Sequence, residues 1–224
     1  MIKMVFLCRR RPDLSRDEYA RRILEGHAPL ALAHHPNMRR YVIQIVEGRP
    51  ADGDEIDSLP TLWFDSVEDF RERLYDSSEG QAIIQRDVQR FMGGSDAYAT
   101  QEHVHRNDDP APARGQRSPG AKWMCLLARR SELSRAAFQR RWLEDHVPLV
   151  LKHQLQLSGY ASSLVAEKLS ETGPEWDAFE EQRFPDAAPE PRFDSPEGER
   201  AVAKSRATLT VRAPAYRIHE YVWK

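Results

Sequence analysis

Apolar and polar positions along this chain fall into two rounds of the same pattern. Residues 2–8 are apolar with β-branched and aromatic members and end on a basic run and Pro12, which predicts a buried strand. Ser15-Arg-Asp-Glu18 then has the form of a capping box, so a helix is expected from Arg16. Tyr19, Ile23 and His27 recur at i, i+4 and i+8 and share one face of that helix. Pro29 has no N–H to donate, so the helix is expected to end or restart there. Residues 40–47 alternate around β-branched side chains and predict a second strand, and residues 48–57 an acidic loop. A short third strand is expected at residues 59–64. A helix capped by Ser66 follows, then a turn at 76–80, a helical segment through Phe91 and a fourth strand at 98–105. The order is β-α-β-β-α-β, the ferredoxin-like arrangement of an α+β protein.

The round then repeats. Residues 10–32 and 129–151 align at a constant offset of 119 and are identical at 13 of 23 positions, where composition alone gives about one or two. Both copies end on His-x-Pro-Leu, placing His27 on His146. Self-similarity of this length at a fixed offset marks a repeated structural unit. The expected organisation is a unit at 1–106, a Pro/Gly-rich linker at 107–121 and a second unit at 122–224. In the second unit, strands are expected at residues 123–127, from Gly159, at 177–184 and at 216–223, with Ser134 capping the first helix. Asp194-Ser-Pro-Glu-Gly198 answers Asp76-Ser-Ser-Glu-Gly80 at an offset of 118.

Composition adds mainly exclusions. A formal net charge of −2 gives no general reason to expect nucleic acid or an anionic membrane as partner. The apolar run at the N-terminus is too short for a signal peptide, and no stretch approaches the ~20 apolar residues of a spanning helix, so a cytoplasmic protein is expected. Cys8 and Cys125 are not equivalent in the repeat and read as buried thiols. Phosphate loop, nucleophile elbow and paired-cysteine motifs are absent, so no cofactor is called for. His103-Val-His105 has a spacing that suits a metal. Its counterparts are Tyr221 and Trp223 and no carboxylates cluster nearby, so no metal site is expected.

A strand ending in basic residues, Leu-Ser-x-x-Glu-Tyr, His-x-Pro-Leu, a Tyr-opened strand and Asp-Ser-x-Glu-Gly together resemble the EthD family of the dimeric α+β barrels. The resemblance covers most of both halves. It implies that two four-stranded sheets curl into one barrel with helices outside, here within one chain as a pseudo-dimer, with further homodimerisation left open. It also implies cofactor-independent lyase chemistry of dehydratase, decarboxylase or cyclase type on aromatic or polyketide-like molecules.

Weighed directly, the candidate acid/base residues are His27 and His146, since imidazole moves protons near neutral pH. Tyr41 and Tyr160, at equivalent strand positions, are candidate donors to a substrate oxygen. Glu180 and Glu181 answer Pro60 and Thr61, and alternation turns one of them inward, where burial would shift its acidity. His146 is favoured, because the second half combines it with Tyr160 and the Glu pair. The competing reading is a non-catalytic small-molecule-binding or accessory protein in which both histidines are structural.

Overall fold

In the computed structural model, residues 1–224 are described except 49, 110–111 and 186–191. The first half contains β1 (Ile2–Arg10), α1 (Arg16–Arg21), α2 (Ala28–His34), β2 (Arg40–Gly48), β3 (Thr61–Phe64), α3 (Val67–Arg71), α4 (Ser78–Val88) and β4 (Met92–Asn107). The second contains β5 (Ala121–Arg129), α5 (Arg135–Arg141), α6 (Val147–His153), β6 (Gly159–Lys168), β7 (Ala178–Phe184), α7 (Pro196–Leu209), β8 (Thr210–Arg212) and β9 (Ala215–Val222). The expected strands and helices are present.

Each half has the ferredoxin-like strand order, β4-β1-β3-β2 and β9-β5-β7-β6, with every pairing antiparallel. The fourth strand of each half pairs with the second strand of the other. Gln44 of β2 lies opposite Glu220 of β9, and His103 of β4 opposite Ser162 of β6. These two seams close eight strands into a barrel, the expected intramolecular α+β barrel, with β8 as a short flap on β5. Closure removes the free edges that an open sheet leaves.

Local chemistry explains the repeated stretch. The Ser15 and Ser134 hydroxyls accept the Glu18 and Ala137 N–H groups at 3.1 and 3.2 Å. The reciprocal half of the expected capping box is not formed, because Glu18 reaches forward to Arg22 at 2.5 Å instead. Arg10 binds Asp57 through its backbone N–H and guanidinium, and Arg129 binds Asp177 likewise. The 76–80 stretch expected as a turn opens α4, with Ser77 accepting the Gly80 N–H; Ser195 accepts that of Gly198. Asp76 and Asp194 carry the same contact to His34 and His153. Residues 115–118 lie against β9, where Gly115 and Ser118 N–H donate to the Val222 and Glu220 carbonyls.

Between α1 and α2, and between α5 and α6, the chain winds as a π-helix, Arg22–His27 and Trp142–His146. Ala28 N–H reaches back five residues to the Ile23 carbonyl, and Val147 N–H to that of Trp142. The proline that follows each histidine gives no N–H to an α-helical bond, so the wider turn absorbs the missing donor. In both copies the histidine is the last residue of that turn.

One end of the barrel interior is apolar, built on residues such as Val5, Leu7, Tyr98, Leu126, Phe179 and Ile218. The other is charged. Lys3 is 1% exposed and binds Glu102 at 2.8 Å and also Glu181. Its equivalent Lys122 binds Glu181 at 2.5 Å and also Glu220. The Gln44 amide, oriented to donate to the Leu59 carbonyl, accepts from Lys122 at 3.0 Å. Trp63 donates to Glu102 at 2.9 Å, and Arg183 to Glu220 at 2.5 Å. Burial alone would raise Glu181 and Glu220, but the two ammonium groups beside Glu181 outweigh it. Lys122 and Arg183 do the same for Glu220, so both acids lie below the usual carboxylate range, Glu220 at about 2.

Replacing Glu181 with Gln withdraws the charge shared by the two buried ammonium groups and is expected to cost about 3–5 kcal/mol, read as a lowered urea midpoint at pH 7. The pH dependence has a definite sign. A depressed folded-state acidity gives stability that is full above the unfolded value near 4.3 and is lost as pH falls through the folded one. The wild type should therefore lose stability steadily from about pH 5 toward 2, and the Glu181→Gln protein more gently. Superimposable acid limbs would show that Glu181 contributes nothing to the acid response.

Candidate active site

Each half packs its helices on the outer face of its sheet, and the proposed site residues divide between those layers. His27 and Tyr41 come together in the first, and His146, Tyr160 and Glu180 in the second. Glu181 is not with them. Neighbouring residues on β7 point to opposite faces, so Glu181 enters the barrel and Glu180 the helix layer, and both are buried.

In the first half, His27 is the last residue of its π-turn, with its side chain 12% exposed. Its Nδ1 lies 3.0 Å from Asp87 Oδ2 on α4. A carboxylate offers only acceptors, so Nδ1 carries a proton and Nε2 is the ring nitrogen left for a substrate. The ring stands edge-on to Phe91 at 5.3 Å between centroids. His27 lines a cavity of about 290 Å³ together with Tyr41, His35 and a mainly apolar wall that includes Phe6, Ile23, Leu62, Phe70 and Val88. That is close to the lower end of the ~300–1,000 Å³ range of small-molecule sites. Burial holds the Tyr41 phenol well above its usual range, so it is a neutral donor, and its hydroxyl bonds no described residue. His35 donates to the Leu74 carbonyl at 3.0 Å, and burial lowers it to about 4, leaving it neutral. Cys8, on the cavity wall, is buried and free, its thiol pushed up to about 12 by burial.

The second half encloses the corresponding histidine. His146 is fully buried against Trp142, with ring centroids 4.2 Å apart. Its Nδ1 meets Ser205 at 3.2 Å, the position held by Asp87 in the first half, and Nε2 has no hydrogen-bond partner among the described residues. Glu180 Oε1 is 4.0 Å away and accepts instead from the Tyr160 hydroxyl at 2.8 Å and the Gln182 amide at 3.2 Å. Arg206 binds the other oxygen at 2.6 Å. Burial would raise Glu180, but Arg206, helped by the Tyr160 and Gln182 hydrogen bonds, draws it below its usual range. Burial lowers His146 to about 4, so its ring is neutral. Thus the Tyr160 hydroxyl is already committed to Glu180, and the His146 ring is shut off from solvent.

Asp87 and Arg206 were not among the expected residues. Asp87 is a polar residue facing inward from an amphipathic helix, and its counterpart Ser205 holds the equivalent nitrogen, so the repeat itself carried that signal. Arg206 answers Val88 and gives no such hint.

Residues 11–95 match the family model of the EthD domain. No curated protein matches the sequence. Among solved structures, the chain is similar to an anthrone oxidase-like protein at 12% identity, with 99% of this chain and 92% of that one covered and a TM-score of 0.63. A Fusobacterium nucleatum protein provisionally described as a monooxygenase matches at 9% identity over 100% and 92%, with a TM-score of 0.59. A mutant chlorite dismutase from Candidatus Nitrospira defluvii matches at 9% over 97% and 91%, with a TM-score of 0.53. At such identities the likeness establishes the shared α+β barrel fold.

The second helix layer yields a stability test. Arg206→Met leaves Glu180 buried with only neutral donors and should cost about 3–5 kcal/mol. Converting Glu180 to Met in the same protein should recover most of that loss, since the uncompensated charge goes with it. Thermal melts of the two variants give the comparison. Additive losses in the double variant would rule out coupling between the pair.

Proposed function

We propose, on the premise that residues 11–95 of this chain are an EthD domain, that the protein is a cofactor-independent lyase. Its base is His27, acting on an aromatic or polyketide-like molecule held in the first helix–sheet cavity. The observation that carries this reading is His27 on the wall of an apolar cavity, with its Nδ1 held by Asp87. Nε2 takes a proton from carbon beside a substrate carbonyl, and Asp87 stabilises the imidazolium that forms. Tyr41 donates to the enolate oxygen as its charge develops. In a dehydration, the bond from the β-carbon to its hydroxyl then breaks. The proton on Nε2 leaves with that oxygen as water, restoring neutral His27. Apolar walls strengthen each of these interactions by keeping bulk water away.

This reading moves the chemistry from His146, favoured on sequence, to His27. His146 is enclosed, lacks the aspartate and faces a carboxylate already bound by three donors. A binding protein without catalysis would need the cavity but not the dyad.

The test is a screen of β-hydroxy aromatic ketones and polyketide-like hydroxy acids, followed by His27→Ala and Asp87→Asn on any substrate found. His27→Ala should reduce turnover by about 10²–10⁴-fold with an unchanged circular dichroism spectrum. Asp87→Asn should lower kcat with little change in KM. His146→Ala, where it folds, should retain activity. Substrate turnover by folded His27→Ala at the wild-type rate would end the proposal. Oxygen uptake during turnover would replace elimination with an oxidative reaction.

A further inference from the structure

A second and larger cavity, of about 460 Å³, lies between α7 and the outer faces of β5 and β7. His146 and Tyr160 do not line it. Its chemistry departs from that of the first cavity at equivalent positions: Arg206 stands where the first half has Val88, Gln182 where it has Leu62 and Gln154 where it has His35. Trp123, Phe193 and Val202 supply an apolar wall. Gln154 and Gln182 are 2% and 3% exposed, so these are interior amides and not surface decoration.

Arg206 is the cation of this cavity. Glu180 engages its Nη2 alone, out of the five donors of a guanidinium. Glu180 in turn does not depend on Arg206 only, since Tyr160 and Gln182 also donate to it. Cys125 also meets the guanidinium, whose Nε has no partner among the described residues, so it keeps a spare donor. The lining carboxylate, Glu199, is exposed at the rim. We propose that this cavity is a second ligand site, for a planar organic anion such as an aromatic carboxylate or phenolate, with Arg206 as its anchor. A carboxylate matches the fork of a guanidinium, and flat rings suit the Trp123 and Phe193 faces. The site is separate from the His27 cavity and does not rest on catalysis there.

The experiment compares 2-naphthoate with its neutral isostere 2-naphthamide by calorimetry on the full-length protein. Naphthoate should bind in a saturable manner, at least about tenfold tighter than the amide. Arg206→Met should abolish that preference. Because this variant is also expected to lose stability, Ala203→Trp serves beside it. Ala203 is an exposed α7 residue on the cavity wall, so the new ring fills the space and leaves the Arg206–Glu180 pair intact. Naphthoate binding should disappear in folded Ala203→Trp and persist in Val88→Trp, which fills the first cavity instead. Binding lost in Val88→Trp but kept in Ala203→Trp would place the ligand in the first cavity and overturn the proposal. Equal affinity for naphthoate and the amide, or no saturable binding at millimolar concentration, would leave Arg206 only the task of neutralising Glu180.

Discussion

The structure depends on closing a barrel over charges that cannot be left alone. Lys3 and Lys122 occupy equivalent inward positions, and each has its own glutamate, Glu102 or Glu220. Glu181 lies between them and binds both. An ammonium taken out of water costs several kcal/mol, and only well-placed acceptors offset that. The acceptors come from strands of both halves, so neither half satisfies its lysine as fully by itself as the closed barrel does. The seams β2–β9 and β4–β6 thus carry an electrostatic constraint in addition to their backbone ladders. Register at both seams is fixed by it, since a one-residue slip would turn every inward side chain outward.

Outside the barrel, the two helix layers share a scaffold and differ in what fills it. Both hold a histidine at the end of a π-turn, and both anchor its Nδ1 from the following long helix. In the first layer the anchor is Asp87, and Pro60, Leu62 and Val88 leave an apolar hollow. In the second it is Ser205, and Glu180, Gln182 and Arg206 convert the same region to a buried polar cluster. An aspartate fixes the tautomer and favours a developing imidazolium, whereas a serine hydroxyl, which donates and accepts alike, does neither. The proton transfer proposed for the first layer and the anion binding proposed for the second rest on this difference.

Much of this was legible in the sequence. The repeat announced two equivalent units, hydrophobic alternation located the strands, and the caps at Ser15, Ser66 and Ser134 set helix starts to the residue. The orientation of the Glu180–Glu181 pair was only half legible. Alternation separates their faces, but it identifies a buried one only when the other meets solvent. In a barrel sheathed by helices both faces are interior, and both carboxylates are buried. The charged network left a trace that periodicity alone does not weigh: lone lysines at 3 and 122 inside apolar strands, and glutamates at 102 and 220, repeat at offsets of 119 and 118. The seams left none, because pairing between halves is a property of the closed barrel. The Arg206 cavity was equally silent, as Arg206 reads from sequence as an ordinary polar helix residue.

Joining the halves in one chain also removes a restriction that symmetric pairs carry. In a pair of identical subunits, any residue near the two-fold axis is present twice. A carboxylate at the position of Glu181 would bring a second carboxylate into the same charged end of the barrel. Here the equivalent position holds Thr61, fully buried and uncharged, so one glutamate serves two lysines without a like-charged neighbour from its own symmetry mate. The same freedom reaches the helix layers, where Pro60 and Glu180, or Val88 and Arg206, need not be alike. A site that requires an open hollow and one that requires a fixed guanidinium make opposite demands on a single sequence. Two linked copies of the scaffold meet both, at the cost of a barrel interior that must now be complementary and no longer self-complementary.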